Sequence, residues 1–299
     1  MKPLLPLLLS CLGFCVAAAV AGPTWKVAAC QIFTDGSVAE NEAAIAKYLA
    51  EAAEGGLDLV VFPECALTVY SKAADYTSRL DAAEIERAIE ALRATCRQLG
   101  IAAGIGTAYY DGVYWRNGLV IIDKDGREAG RYIKTFDAGE KWARNPDRLQ
   151  MFRLGGEDVC AIICHDIRYP ELVRLPAAAG AVLCLYSSCE SGMDSPHKFE
   201  AYRAMPISRA TENGIFLVMA NAPAVRGKEG AKNVSHGNSK IVHPNGTVLA
   251  EADHYFQGLL TAEIDLREAD RGIANRVAGG QSPLREWMRD GVGLVEEAE

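Results

Sequence analysis

Three apolar, β-favouring stretches of this chain end on a residue that does not belong in a core: LDLVVFPE at Glu64, AGRYIK at Lys134 and DVCAIIC at Cys164. In open α/β sheets ligands bind beyond the carboxyl ends of strands, so an acid, a base and a thiol at three strand ends can converge on one site. A thiol near its free pKa of about 8.5 is little ionised at neutral pH and needs a base or a cation beside it to attack a carbonyl carbon. Glu64 would take the proton, Lys134 would stabilise the thiolate and the oxyanion, and backbone N–H groups just past Cys164 would complete an oxyanion hole. Each residue alone has a plainer reading. Free cysteine is commonly a buried small hydrophobe, and a Glu or Lys after a strand is commonly a solvated rim residue.

The elements that must position these residues follow from periodicity. TWKVAACQI reads as a first strand, and Ser37 with Glu40 three residues on predicts a capped helix ending at Gly55 and Gly56. LDLVVFPE, Leu57 to Glu64, is apolar on both faces and reads as a central strand. A second helix is expected from about Ser78 to Leu99, with Ile85, Ile89, Leu92, Cys96 and Leu99 on one face. IAAGIGTAYY is a strand, and NGLVIIDKDGREAGRYIK a hairpin about Asp125 and Gly126. LQMFRL and EDVCAIIC follow as strands across Gly155 and Gly156. Then come a short helix over Tyr169 to Gly180, the strand AVLCLYSS, a helix from Ser195 to Asn213 and the strand GIFLVMANA. A hairpin at Asn245 and Gly246 and the strand QGLLTAEID close the series, ahead of a polar tail anchored by Trp287 and Met288. Helix-covered strands, a hairpin, helix-covered strands and a hairpin form an internal echo. It predicts an α/β fold of two mixed sheets packed face to face with helices outside each, a four-layer αββα sandwich in one domain.

FPE at Phe62 to Glu64, the Lys134 region and C-x-D-x-R-Y-P-E at Cys164 to Glu171 resemble the nitrilase, or carbon-nitrogen hydrolase, superfamily. The similarity runs from VAACQ through RATEN at Arg209 to Asn213 and G-x-S-x-x-x-x-P-x-G at Gly237 to Gly246. The resemblance implies that Glu64 is the general base, that Lys134 stabilises the tetrahedral intermediate and that Cys164 is the nucleophile. It also implies that Glu140, in KTFDAGEKW, positions Lys134; an exposed loop carboxylate is the alternative there. The implied reaction is attack on an amide or nitrile carbon, release of ammonia or amine, and hydrolysis of a thioester, with no metal or organic cofactor. A small amide is the first expectation, and a nitrilase or an N-carbamoyl amide hydrolase with the same triad the second. Readings of another class are a catalytically silent binding module, which the intact triad disfavours, and a thioester-using acyltransferase, whose membrane-embedded form would need several membrane spans. A homo-oligomer is also implied.

The remaining candidates are weaker. His165 adjoins Cys164, but neighbours on an extended segment point to opposite faces, so it is expected to lend its backbone N–H and pocket polarity and not a Cys/His dyad. Cys189 and Glu190 follow AVLCLYSS and would line the substrate pocket or lie in a surface turn. Cys160, Cys164 and His165 as metal ligands are disfavoured because four extended residues span roughly 13 Å. Asp166, Arg168 and Glu171 fit an ion-pair cluster holding the turn, and Asn233-Val234-Ser235 is a glycosylation sequon by pattern.

Composition bounds the partners. With 39 acidic against 31 basic residues in 299, and 49% apolar residues, the chain has material for a full core and no electrostatic footprint for nucleic acid or anionic lipid. Residues 1–21 read as a signal peptide with Ala19-Val20-Ala21 at the cleavage site, which leaves residues 22–299 as the carbon-nitrogen hydrolase domain and predicts export to the periplasm or medium. A lipid anchor at Cys11 and a retained apolar segment are the alternatives. Seven cysteines then remain, an odd number lying mostly in apolar runs, as expected of single buried thiols.

Overall fold

The computed structural model describes residues 24–228 and 234–278; the expected leader with Cys11, Asn233 of the sequon, and Trp287 and Met288 lie outside the described residues. The first half contains β1 (Thr24–Gln31), α1 (Val38–Glu54), β2 (Leu59–Val61), α2 (Ala82–Leu99), β3 (Ala102–Tyr110), β4 (Trp115–Ile122) and β5 (Glu128–Ile133). The second contains β6 (Phe152–Leu154), β7 (Glu157–Ile163), α3 (Glu171–Ala179), β8 (Leu183–Ser188), α4 (Phe199–Thr211), β9 (Phe216–Asn221), β10 (Lys240–Val242) and β11 (Val248–Glu251). Finally β12 (Gly258–Asp265) and α5 (Gly272–Ala278) close the described chain.

The strands form two six-stranded sheets, ordered β12-β1-β2-β3-β4-β5 and β11-β10-β9-β8-β7-β6. In each, three parallel strands (β1, β2, β3 and β7, β8, β9) are flanked by an antiparallel hairpin on one side and an antiparallel strand on the other. The internal echo is therefore architectural. What the pattern did not predict is that β12 crosses back to pair with β1 and completes the first sheet.

Strand parity explains the layering, because alternate residues face opposite sides of a sheet. Val27, Ala29, Leu59, Val61, Leu119 and Ile121 meet Val159, Ala161, Leu183, Leu185, Phe216 and Val218 in the core between the sheets. The alternate set, Ala28, Cys30, Val60, Ala103 and Val120, packs on Ile45 and Leu49 of α1 and Ile85, Ile89 and Leu92 of α2. In the other sheet Cys160, Ile162, Cys184 and Leu217 pack on Leu172 and Val173 of α3, Tyr202 of α4 and Ala274 of α5. A strand with both faces covered must be apolar throughout, which is the texture of LDLVV and CAII.

Local chemistry sets the element ends. The Ser37 and Glu40 capping box is present, with Ser37 N–H donating to Glu40 Oε2 at 2.8 Å and Glu40 N–H to Ser37 Oγ at 3.3 Å. The second helix starts later than expected. Asp81 caps it, accepting from Ala83 N–H at 2.8 Å, and Tyr76–Arg79 forms a separate 3-10 turn because Leu80 is extended. Gly100, at φ 69°, closes this helix in the left-handed region. β2 is also shorter than the apolar run: from Pro63 the chain turns, with Ala66 N–H donating to Pro63 O and Thr68 N–H to Cys65 O. Glu64 thus sits in a turn and not at a strand terminus. That turn lies flat on β3 because Gly106 has no side chain; a Cβ there would fall 2.1 Å from Pro63 O and 2.8 Å from Cys65 N.

Candidate active site

The two sheets divide the site between them. Glu64 follows β2, Asn117 lies on β4, and Lys134 and Glu140 follow β5, all from the first sheet; Cys164 follows β7 and Cys189 and Glu190 follow β8, from the second. Ser187 Oγ donates to Phe62 O at 2.8 Å and Glu64 N–H donates to Ser188 O at 3.3 Å, so the turn carrying Glu64 is bound to β8 of the opposite sheet.

Lys134 is the hub. Its ammonium donates to Glu64 Oε1 and to Glu140 Oε1, both at 2.7 Å, and all three side chains are buried. Glu140, for which an exposed loop position was the alternative, is 1% exposed. Its other contacts are the Tyr70 hydroxyl and the Ala138 N–H, both donating to its carboxylate. Glu64 Oε1 also accepts from Asn117 Nδ2 at 2.8 Å, and Glu64 Oε2 from the Cys189 N–H at 3.1 Å.

These environments push the two carboxylates apart. Burial raises the Glu64 pKa, with the Glu140 charge adding to the rise and the Lys134 ammonium and its Asn117 hydrogen bond opposing it. Burial also acts on Glu140, but there the charge and hydrogen bond of Lys134 and the donors Tyr70 and Ala138 prevail and hold the carboxyl below its usual range. Lys134 is held charged: burial disfavours the ammonium, but Glu64, Cys164 and Glu140 raise its pKa well above the usual value. Two carboxylates on one cation therefore differ in electrostatic setting: the surroundings of Glu140 favour its ionised form, and those of Glu64 favour its protonated form.

Cys164 is presented by strain. β7 ends at Ile163, a 3-10 turn spans Cys164–Arg168, and Cys164 itself has φ 48°, a left-handed conformation that a residue with a Cβ adopts at a cost of roughly 1–3 kcal/mol. Asp166 holds that turn. Fully buried, it accepts from Ile163 N–H at 3.1 Å, Phe136 N–H at 2.8 Å, Thr135 N–H at 3.2 Å and the Tyr132 hydroxyl at 2.9 Å, which links the turn after β7 to the loop just past Lys134. Arg209, from RATEN, donates to Ile167 O at 3.0 Å from the other side. Burial pushes the Cys164 thiol up, Glu190 and Glu64 push it further, and Lys134 opposes them, so the resting group is a thiol that needs a base.

The expected cluster of Asp166, Arg168 and Glu171 does not form. Asp166 is taken up by backbone donors and Tyr132. Arg168 donates to the Tyr202 hydroxyl at 2.9 Å and lies over its ring, and Glu171 is exposed at the start of α3. The geometric reason given for setting His165 aside also fails, since Cys164 and His165 lie in a helical turn and not on an extended segment. His165 is half-buried, packs edge-on to Tyr169 and lines the cavity above Cys164.

That cavity has a volume of about 750 Å³. Its floor carries Cys164, Cys189 and Glu190, and its walls include Tyr70, Arg168 and Tyr202, while Glu64 and Lys134 lie behind the floor. Cys189 and Glu190 are thus pocket residues and not a surface turn. The residues that sequence reasoning missed are Asn117, Tyr70, Tyr186 and Tyr202. Asn117 left a signal, a polar side chain inside the apolar strand WRNGLVII; the tyrosines left none, being ordinary in strands and helices. Among the described residues no group of three or more His, Cys, Asp or Glu side chains is arranged to hold a metal ion.

A four-layer αββα sandwich that brings a cysteine together with a Glu-Lys-Glu cluster defines a nitrilase-like fold. The family model for carbon-nitrogen hydrolases matches residues 26–272, and the chain belongs to that family. It is 29% identical over 238 residues to 2-oxoglutaramate amidase of Bacillus subtilis, covering 75% of this chain and 84% of that protein. It is 32% identical over 236 residues to a nitrilase of Pyrococcus abyssi, covering 76% and 84%. With glutamine-dependent NAD(+) synthetase of Aquifex aeolicus the match, 28% over 246 residues, spans only 42% of that longer protein. Among solved structures, the amidase of Nesterenkonia sp. AN1 superposes with a TM-score of 0.76 at 25% identity, over 89% of this chain and 99% of that one. The protein is an enzyme, a carbon-nitrogen hydrolase of the amidase-like type.

Proposed function

We propose that this hydrolase cleaves small amides through a thioester on Cys164. The observation that carries the reading is the pair of buried carboxylates, Glu64 and Glu140, each 2.7 Å from the Lys134 ammonium, together with Cys164 in the lining of the cavity. Glu64 Oε1 accepts from Lys134 and Asn117, so Oε2, which among the described residues accepts from the Cys189 N–H, is the oxygen that takes the Cys164 proton as the sulfur attacks the amide carbon. Lys134 and the leading N–H groups of the turn after Cys164 stabilise the oxyanion. Collapse expels the amide nitrogen, which takes its proton from Glu64 and leaves as ammonia or amine. Water, deprotonated by Glu64, then attacks the thioester, and the proton returns to the thiolate as the carboxylic acid departs. Glu140 fixes Lys134 throughout.

Ammonia release across a panel of small amides, nitriles and N-carbamoyl amino acids tests this, with intact-mass detection of the acyl-enzyme. Cys164→Ala should abolish both signals, and Glu64→Gln should cost on the order of 10² or more in kcat/KM. Turnover surviving in Cys164→Ala, or nitriles outpacing every amide, would overturn the amidase reading.

We further propose that residues 1–21 are removed on export, that the catalytic domain starts near residue 22, and that the enzyme assembles as a homo-oligomer. The apolar leader and its Ala-x-Ala site support export. A mature protein beginning at Met1, or a monomer by light scattering, would refute the respective part.

A further inference from the structure

The mechanism leaves one buried acid of the cavity unused. Glu190 is 3% exposed, lies two residues past β8 and lines the cavity beside Cys164. Its position is built from behind: its N–H donates to Asn221 Oδ1 at 3.1 Å, the same oxygen accepts from Ser235 Oγ at 3.0 Å, and Asn221 Nδ2 donates to Gly237 O at 2.7 Å. Among the described residues its hydrogen-bond partners are neutral, and Lys134 acts on it through charge alone. Tyr186 OH lies 3.1 Å from Glu190 Oε1, and the Tyr202 hydroxyl also hydrogen-bonds the carboxylate. Arg168 donates to the Tyr202 hydroxyl at 2.9 Å, and its charge acts on Glu190 without forming an ion pair with it. Lys198, farther out on the cavity wall, donates to Ser191 Oγ at 2.8 Å. Among the described residues Glu190 forms no ion pair. A carboxylate offers about four acceptor positions, and the phenols satisfy about two.

Burying a carboxylate without a cation is costly unless a bound group compensates it. Resting on the amidase reading of this site, we propose that Glu190 is a specificity-determining residue that selects amides whose acyl group carries a protonated amine or another cationic donor a few bonds from the reacting carbonyl. Such a group, seated beside the thiol, gives Glu190 an ion pair that none of the described residues supplies. It also offsets the negative charge that Glu190 and Glu64 place near Cys164. An apolar acyl group of equal size would leave the carboxylate desolvated and unpaired, and an acidic one would meet it directly.

The test uses three compounds of similar length, 3-aminopropanamide, butanamide and succinamate, assayed for ammonia release at about pH 8 with the wild type and Glu190→Gln. The readout is the ratio of kcat/KM values within each protein, in which general damage to the site cancels. The wild type should prefer the amino amide over butanamide by roughly tenfold or more, as one charge-assisted hydrogen bond allows, with succinamate the poorest, and Glu190→Gln should bring the first ratio close to one. An unchanged ratio, a wild-type preference for butanamide or succinamate, or equal losses on both neutral and amino amides, as expected if Glu190 read only the carboxamide, would overturn the proposal. If no compound is hydrolysed, the amidase reading fails separately. Calorimetric binding of the same compounds to Cys164→Ala, with and without Glu190→Gln, then decides the role of Glu190: tighter binding of the amino amide that Glu190→Gln removes supports it, and equal or no binding refutes it.

Discussion

Replacing Lys134 by Met removes the cation of the Glu64–Lys134–Glu140 cluster while keeping the volume of its stem. Breaking a buried ion pair by deleting one partner costs roughly 3–5 kcal/mol, and because all three side chains are buried no screening by solvent reduces that figure. Protonation sets its ceiling. Holding one glutamate neutral at pH 8, against an unfolded-state pKa of about 4.3, costs about 5 kcal/mol at roughly 1.4 kcal/mol per pH unit, and at pH 6 the same group costs about 2 kcal/mol. The sign follows: without the ammonium the folded-state pKa values of Glu64 and Glu140 both rise. The destabilisation is therefore full at high pH and fades as pH falls toward the unfolded-state value. Urea titrations of wild type and Lys134→Met at pH 6, 7 and 8 should give a stability difference that shrinks by roughly 1–3 kcal/mol per pH unit, one step for each carboxylate neutralised. Adding Glu140→Gln should recover part of the loss at pH 8. A difference below about 0.5 kcal/mol at pH 8, or one independent of pH, would refute the account of this cluster as a cation shared by two dissimilar acids.

Asn117→Leu deletes a donor to the ionised form of Glu64, so the Glu64 pKa should rise and the acidic limb of the kcat/KM profile should move to higher pH; an unmoved limb would contradict the assignment of that limb to Glu64. Gly106→Ala places a methyl 2.1 Å from Pro63 O and should lower stability by about 2 kcal/mol or more while reducing kcat through displacement of Glu64, measured by thermal unfolding and steady-state kinetics; wild-type values for both would show that the turn has room. Asp166→Asn turns an amide N–H₂ toward an array of three backbone N–H groups and Tyr132, and should cost on the order of 2–4 kcal/mol and leave the Cys164 thiol slower toward a small alkylating amide, a reactivity that a purely global loss of stability would not change below the melting transition.

What the sequence disclosed and what it hid have one physical origin. Cys164, Glu64 and Lys134 were legible as candidates because each follows a β-favouring run; each alone has an ordinary structural reading, and it was the three together with the surrounding motifs that singled them out. Strand parity likewise made the layers legible, since residues apolar on both faces require cover on both. The details that failed were those decided across long sequence separations. Asp166 was read as an ion-pair partner of its neighbours, whereas its partners Tyr132, Thr135 and Phe136 lie about thirty residues earlier, brought there by the packing of the two sheets. The pairing of β12 with β1 joins the two ends of the described chain, and no local pattern encodes it.

The division of the candidate site between the sheets makes its geometry depend on the sandwich core. Glu64, Lys134 and Glu140 belong to the first sheet and Cys164, Cys189 and Glu190 to the second, so their relative placement depends on how Val27, Leu59 and Leu119 interleave with Val159, Leu183 and Val218. Among the described residues, polar links that tie the two sides near the site include Ser187 to Phe62, Glu64 to Ser188, Cys189 to Glu64, and Asp166 to the loop after β5. Each of these links joins a residue that carries or adjoins chemistry on one sheet to backbone or carboxylate on the other. A volume change in the interior between the sheets is transmitted because close-packed side chains have little room to relax. The placement of Cys164 relative to Glu64 and Lys134 is therefore set by the packing between the sheets.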